Sequence, residues 1–249
     1  MAEATRSLAP RDTQRTGAAE RGTELGTVLV TGGASGLGRA VAEAVGKAGG
    51  TPVVLDINEP PGELAWEPVD LADARATERA VAQAVANQGG IDAVVTAAGI
   101  DACGDLADVP AADWDRVVAV NLIGTAAVVR AALPSLRARR GRIVTVASTL
   151  GLRALPAATA YAASKFGVVG FTRALALELA GEVGVTMLVP GGMRTAFFDG
   201  RPEQFKPAPE QHLNAPEDVA HTVLFALRQP PGCEVRELIV TPSTEPSWP

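Results

Sequence analysis

From Gly26 to Thr241, short apolar runs alternate with longer stretches whose apolar residues recur at helical spacing, and this alternation narrows the possible folds more than any other feature. The runs at Thr27–Thr31 (TVLVT), Pro52–Asp56 (PVVLD), Ile91–Ala97, Arg142–Ala147, Val183–Val189 and Glu234–Thr241 predict strands, with a weaker one at Trp66–Val69. Helices are predicted over Gly36–Lys47, Asp73–Gln88, Asp113–Arg139 (interrupted only at Pro134), Ala157–Ala180 and Pro216–Arg228. Strand, helix and strand in succession cross over right-handedly and build a parallel sheet with helices on both faces. The strand runs are apolar throughout rather than alternating, as burial of both sheet faces requires. The expected fold is a doubly wound, Rossmann-like α/β sheet of about seven strands, with ligands at the carboxyl ends of the strands. No linker divides the chain, so residues 25–249 are expected to form one domain. Residues 1–24 carry charges throughout, with no periodicity and no apolar segment, and are expected to be a disordered tail rather than a signal peptide.

Composition removes several function classes. The formal net charge of −6 argues against general nucleic-acid binding, which selects basic surfaces. Cys103 and Cys233 lack any metal-ligand spacing, and His212 and His221 stand far from both, so no metal site is expected and the thiols read as reduced ones in the cytoplasm. No apolar run reaches the length of a membrane span, and no membrane partner is expected.

Directly after the first strand comes Thr31-Gly32-Gly33-Ala34-Ser35-Gly36-Leu37-Gly38. Such a loop must turn tightly, admit a pyrophosphate to the backbone and start a helix close to the sheet, and glycine serves all three needs. The helix N-terminus then offers free N–H groups to phosphate. The spacing from Gly33 to Gly38 also suits an NTPase phosphate loop, but Arg39 and Ala40 stand where Lys and Ser/Thr are required. Asp56 ends the second strand, where an acid accepts hydrogen bonds from adenosine ribose hydroxyls and repels a 2′-phosphate. Ile57 and Asn58 supply no cation, so NAD is expected over NADP.

Tyr161 and Lys165 lie four residues apart in a predicted helix and therefore share a face. A nearby ammonium favours phenolate, so the expectation is a Tyr161 pKa below its ordinary value and a phenol suited to acid/base work. Ser148 ends the preceding strand on the ligand-binding rim, and Asn121 lies inside a helix, a poor place for Asn unless its polar groups are used.

With these residues the chain resembles the short-chain dehydrogenase/reductase family from about Gly26 to Thr241: T-G-x-x-x-G-x-G at 31–38, Y-x-x-x-K at Tyr161 and Lys165, Ser148, Asn121 in the run from Trp114, P-G-x-x-x-T at Pro190, Gly191 and Thr195, and Asp70. The resemblance implies an oxidoreductase of secondary alcohols or ketones and a homodimer or homotetramer. Tyr161 would be the acid/base, Lys165 would tune it and hold the nicotinamide ribose, Ser148 would polarise the carbonyl, and Asn121 would support a water. Gly32, Ser35, Gly36, Leu37 and Gly38 would hold the pyrophosphate, and Asp70 with the Leu71 backbone the adenine. Thr195 would meet the nicotinamide amide beside Pro190 and Gly191. The family's N-N-A-G is replaced by Thr96-Ala97-Ala98-Gly99. Ala98 and Gly99 keep room for the ribose, while the missing Asn predicts a less rigid join between strands.

The substrate side is less explicit. Residues 196–213 fall where the resemblance places a lid. Phe197 and Phe198 there either line an apolar pocket or pack the lid, and Arg194, Arg201 and Lys206 either meet an anionic substrate or, as the favoured reading, are solvated loop cations. Cys103 reads as simple packing near the pocket, and the tail from Thr241 as a segment able to cover a neighbouring subunit. Two other functions remain open: an NADP-dependent reductase of carrier-bound acyl or polyketide intermediates, which Asp56 disfavours, and a non-catalytic dinucleotide-binding protein, which the Tyr–Lys pair disfavours.

Overall fold

The computed structural model describes residues 25–246 and 248; the tail expected over 1–24 lies outside them. Seven strands form one sheet: β1 (Thr27–Thr31), β2 (Thr51–Asp56), β3 (Ala65–Pro68), β4 (Ala93–Thr96), β5 (Arg142–Val146), β6 (Gly184–Pro190) and β7 (Glu237–Val240). Their order is β3-β2-β1-β4-β5-β6-β7, and every neighbouring pair is parallel. The order reverses between β1 and β4, which opens a crevice beyond their carboxyl ends. The expected doubly wound sheet is therefore the observed one.

Successive residues of a strand point to opposite faces, so each central strand feeds two cores. Val28 and Val30 of β1 pack with helices α1 (Gly36–Lys47) and α6 (Pro216–Leu227), through Val41, Val45, Val219 and Val223. Leu29, between them, joins Val94, Ile143, Leu136 and Leu175 under α2 (Ala74–Gln88), α4 (Thr125–Arg139) and α5 (Thr159–Glu178). Each such buried aliphatic side chain contributes about 1.5–3 kcal/mol, which fixes the strand ends that carry the loops. Asp73 starts α2 by accepting from the Arg75 and Ala76 backbone N–H groups, both at 2.9 Å.

The long helix expected over Asp113–Arg139 differs in its interruption. The structure has α3 (Ala111–Val118), one π-helical turn at Ala119–Gly124 and then α4, which runs through Pro134 unbroken. The break sits at Asn121, whose side chain serves a neighbouring loop, and not at the proline. The combined helix 111–139 is also, among the described residues, the one long and apolar enough to cross a membrane, although its sequence shows no unbroken apolar run. Half of its most apolar window is buried inside the fold, against α2 and α5. The last strand is shorter than predicted, Glu237–Val240, and lies at the sheet edge.

Candidate active site

The loop after β1 and the start of α1 form one wall of a cleft of about 780 Å³, lined by Gly32, Ser35, Gly36, Leu37 and Gly38. Backbone closeness dictates its glycines. A Cβ on Gly38 would lie 2.3 Å from the Gly32 carbonyl oxygen, and one on Gly32, whose φ is +72°, would lie 2.8 Å from Ala98 Cα. Asp56, at the tip of β2, takes the Ala34 N–H at 2.9 Å on Oδ2 and the Asn58 N–H at 2.9 Å on Oδ1, so its carboxylate is aimed along the cleft floor by both loops. Among the described residues, the cations lining the cleft are Arg116, Lys165, Arg201 and Lys206, none of them on the loops that hold Asp56. Asp70 accepts from Ala72 N at 2.9 Å and from Arg116 at 2.9 Å. Partial burial pushes its carboxyl up, but the Ala72 hydrogen bond and the Arg116 guanidinium more than offset this and hold it below its usual range. Leu71 lies beside it, buried, and Ala98 and Gly99 line the opposite side.

The expected loosening at Thr96-Ala97-Ala98-Gly99 is answered by another group. The Ala98 N–H donates to Thr31 Oγ1 at 3.0 Å and so ties the end of β4 to β1 without the missing Asn. The Thr96 hydroxyl is buried with no partner.

Tyr161, Lys165 and Ser148 converge at the deep end of the cleft. The π turn explains Asn121: its Oδ1 accepts from Ile100 N at 2.9 Å, and its Nδ2 donates to Ile100 O at 2.9 Å and to Ser164 Oγ at 3.0 Å. Ser164 in turn donates to the Tyr161 carbonyl at 2.8 Å. Asn121 thus fastens the loop after β4 to the helix that carries Tyr161 and Lys165, and Ser164 is a member of the site that no sequence pattern marked. A Cβ on Gly99 would lie 3.6 Å from both Asn121 Oδ1 and Lys165 Nζ, so both side chains border that glycine.

The titration of the pair differs from expectation. Burial pushes the Tyr161 phenol up to about 12; the Ser148 hydrogen bond pulls against it, and Asp101 and Arg201 act with smaller, opposite effects. Burial pushes the Lys165 ammonium down to about 8. The reason is placement. Lys165 Nζ lies 5.6 Å from the Tyr161 ring centre and donates to the Val146 carbonyl at 2.8 Å, in a spot that is 4% exposed. In the ligand-free protein burial therefore sets the direction of the phenol's shift, upward.

The segment after β6 closes the cleft. Thr195 starts a short 3₁₀ turn, Ala196–Phe198, and faces Gly36 across the opening; Pro190 and Gly191 line the wall beside it. Phe197 lies 5.5 Å from the Tyr161 ring and 5.6 Å from Phe198, so both aromatics line the chamber. Arg201 is not solvated as expected. Its side chain is 15% exposed, stacks 4.6 Å from Phe197 and 4.8 Å from Phe198, and pairs at 2.9 Å with Asp101, itself 6% exposed. Cys103 donates to the same Asp101 oxygen at 3.1 Å, and burial first, then Asp101, pushes its thiol up to about 11. The C-terminal segment lies over this chain's own cleft: Glu245 Oε2 accepts from Gly192 N at 2.8 Å, and Glu245 lines the cleft. Nothing local in the sequence announces Asp101 or Glu245, or the burial of Arg201.

The chain is similar in sequence and fold to known proteins. The sequence profile of the short chain dehydrogenase family matches residues 26–205. The 3-oxoacyl-[acyl-carrier-protein] reductase FabG of Thermotoga maritima is 33% identical over 216 residues, covering 79% of this chain and 88% of that protein. The D-beta-hydroxybutyrate dehydrogenase of Cupriavidus necator is 34% identical over 221 residues, covering 83% and 84%. The ligand-free aldohexose dehydrogenase of Thermoplasma acidophilum matches in structure with a TM-score of 0.79 at 25% identity, covering 88% of this chain and 94% of that one.

Proposed function

Because the chain belongs to the short-chain dehydrogenase/reductase family, we propose that it transfers hydride between NAD(H) and a secondary alcohol or ketone, with Tyr161 giving and taking the proton. The observation that carries this reading is the meeting of three groups at the deep end of a glycine-walled cleft: the Tyr161 phenol, the Ser148 side chain hydrogen-bonded to it, and the buried Lys165 amine.

The lining of the cleft supports a dinucleotide reading along its length. The crowded Gly32–Gly38 backbone leaves free N–H groups at the start of α1 for the pyrophosphate, with Ser35 at the rim. Asp56 takes the adenosine ribose hydroxyls, and its charge opposes a 2′-phosphate, which favours NAD over NADP. Asp70 and Leu71 take the adenine, and Ala98 and Gly99 admit the ribose. Pro190, Gly191 and Thr195 hold the nicotinamide end. The bound cofactor accepts or supplies the hydride. In oxidation, Tyr161 would first lose its own proton and then, as phenolate, take the proton of the substrate hydroxyl that Ser148 holds. Lys165 and Asn121, which both border Gly99, would carry the proton onward through a supported water. The similarity to an acyl-carrier-protein reductase supports a second reading, reduction of acyl intermediates with NADPH. The acid at Asp56 weighs against it.

The test is absorbance at the reduced-nicotinamide band with a panel of secondary alcohols and ketones, each cofactor in turn. Turnover is expected with NAD(H), and Tyr161→Phe is expected to lower kcat by about 10²–10⁴ while NADH affinity stays within about twofold. Retained turnover in Tyr161→Phe, or preference for NADPH, overturns the corresponding half of the reading. A homo-oligomer also belongs to this proposal. Phe166 on α5 and Phe225 on α6 are 46% and 56% exposed, large apolar side chains suited to subunit contacts, and light scattering measures the mass.

A further inference from the structure

We infer that Asp101 is a specificity-determining residue: by holding Arg201 in a nearly buried ion pair, it makes the substrate chamber select uncharged carbonyl compounds over carboxylates. This rests on the reading that the cleft takes a ketone or alcohol beside Tyr161.

The cations lining the cleft among the described residues are four, and each has a partner. Arg116 is paired with Asp70 at 2.9 Å, next to the glycine-loop half. Lys206 is paired with Glu203 at 2.9 Å at the open rim, where the pair is exposed and weakly held. Lys165 is buried and donates to the Val146 carbonyl. Arg201 is paired with Asp101 at 2.9 Å, close enough to Tyr161 that both charges act on the phenol. Facing these are the carboxylates of Asp56, Asp70, Asp101 and Glu245 along the same cleft. No cation is left over to meet an incoming anion at the catalytic end.

The Asp101–Arg201 pair is built rather than incidental. Asp101 Oδ1 takes the Ala102 N–H at 2.7 Å and its Oδ2 takes the Cys103 thiol, while Arg201 forms an ion pair with that same Oδ2 at 2.9 Å. Arg201 Cζ lies over both the Phe197 and Phe198 rings, whose π faces favour a cation there. A carboxylate substrate seeking Arg201 must displace Asp101 and leave that acid buried and uncompensated, which is costly at low exposure. A neutral substrate needs no such exchange. It packs against Phe197 and Phe198 and hydrogen-bonds Ser148 and Tyr161. Remove the charge of Asp101 and Arg201 becomes a free cation aimed into the chamber, a carboxylate site that the wild-type chain keeps closed.

A matched pair of aryl methyl ketones, 4-acetylbenzoate and its methyl ester, tests this by equilibrium binding to the NADH complex of Tyr161→Phe, read by quenching of the cofactor's fluorescence. The ester is expected to bind at least tenfold more tightly than the acid. Adding Asp101→Asn is expected to narrow that ratio by about tenfold or more, through tighter binding of the acid. Binding of the acid as tight as the ester's, a ratio unmoved by Asp101→Asn, or failure of the ester to bind overturns the inference. The first ratio uses no substitution at the ion pair, so binding of the acid as tight as the ester's overturns the inference even if Asp101→Asn does not fold. Failure of the function proposed above reads differently: the wild-type protein then binds the ester selectively but does not turn it over.

Discussion

The two halves of the cleft are built by different means. The glycine-loop half is made of backbone: strand tips, a helix start and the glycines Gly32, Gly33 and Gly38, whose neighbours lie within 3 Å of any added Cβ. The substrate half is made of side chains that meet from distant points of the chain, such as Asp101 with Arg201 and Glu245 with Gly192. Backbone cannot shift without moving the sheet, so the first half presents one shape to a constant ligand. Side-chain pairs can be exchanged one at a time, so the second half can be retuned while the chemistry beside it stays.

The sharpest way to break this contrast is to crowd the backbone wall. Gly38→Ala adds a methyl 2.3 Å from the Gly32 carbonyl oxygen, a backbone atom that cannot move aside cheaply. Overpacking of this kind costs about 1–3 kcal/mol or more, and here it pushes α1 away from the loop that offers N–H groups to phosphate. NADH affinity is expected to fall by about 100-fold, measured by fluorescence titration, with circular dichroism showing the fold retained. Unchanged affinity would show that the wall is as adaptable as the substrate half.

Lys165 stands where the halves join, and its burial gives a second test. Its folded pKa, about 8, lies below the ordinary 10.5, so between those values the unfolded chain binds more protons and stability rises with pH. Below about pH 8 the fold carries the full cost of a buried ammonium. Lys165→Met removes that cost and loses the hydrogen bond to Val146, for an expected net gain of ~1 kcal/mol at pH 7. The gain should shrink through pH 8–10.5 and reverse above it, as followed by urea unfolding across pH. A gain independent of pH would place the ammonium in solvent. Tyr161 is the only tyrosine in the chain, so phenolate absorbance reports it alone. In the ligand-free protein it is expected to titrate near 12, and a value below 10 would restore the coupling to Lys165 that helical spacing suggests.

The same division decides what can be read from sequence. Motifs such as Gly32 to Gly38 and Asp56 are legible because local spacing alone fixes what the backbone presents. The spacing of Tyr161 and Lys165 correctly puts both on one helix face, but it carries no information about depth. Depth reverses the expected direction of the phenol's pKa. Asn121 is visible as an anomaly, a polar residue inside a helix, yet its π turn follows from a loop 21 residues earlier in the chain. Arg201 looks like any loop cation until Phe197, Phe198 and Asp101 surround it. The missing Asn after β4 is offset by Thr31, a residue of the glycine motif itself, so a local departure is repaired through a long-range hydrogen bond.

The smallest expected effect is at the C-terminal segment, where a side chain supports backbone of the other half. Glu245 accepts the Gly192 N–H at 2.8 Å and lies against Gly191, where a Cβ would be 2.4 Å from its Oε2. It therefore steadies the Gly191–Gly192 strip that borders the catalytic end. Glu245→Ala leaves that N–H without its partner, a loss of about 1 kcal/mol, which corresponds to roughly a fivefold rise in the KM for NAD with kcat nearly unchanged. Glu245→Gln keeps an oxygen acceptor in reach and is expected to recover most of the loss. Equal damage from Ala and Gln would mean that the charge, and not the hydrogen bond, is what this position contributes. A fall in kcat instead of a rise in KM would place the strip in the chemistry of the substrate half.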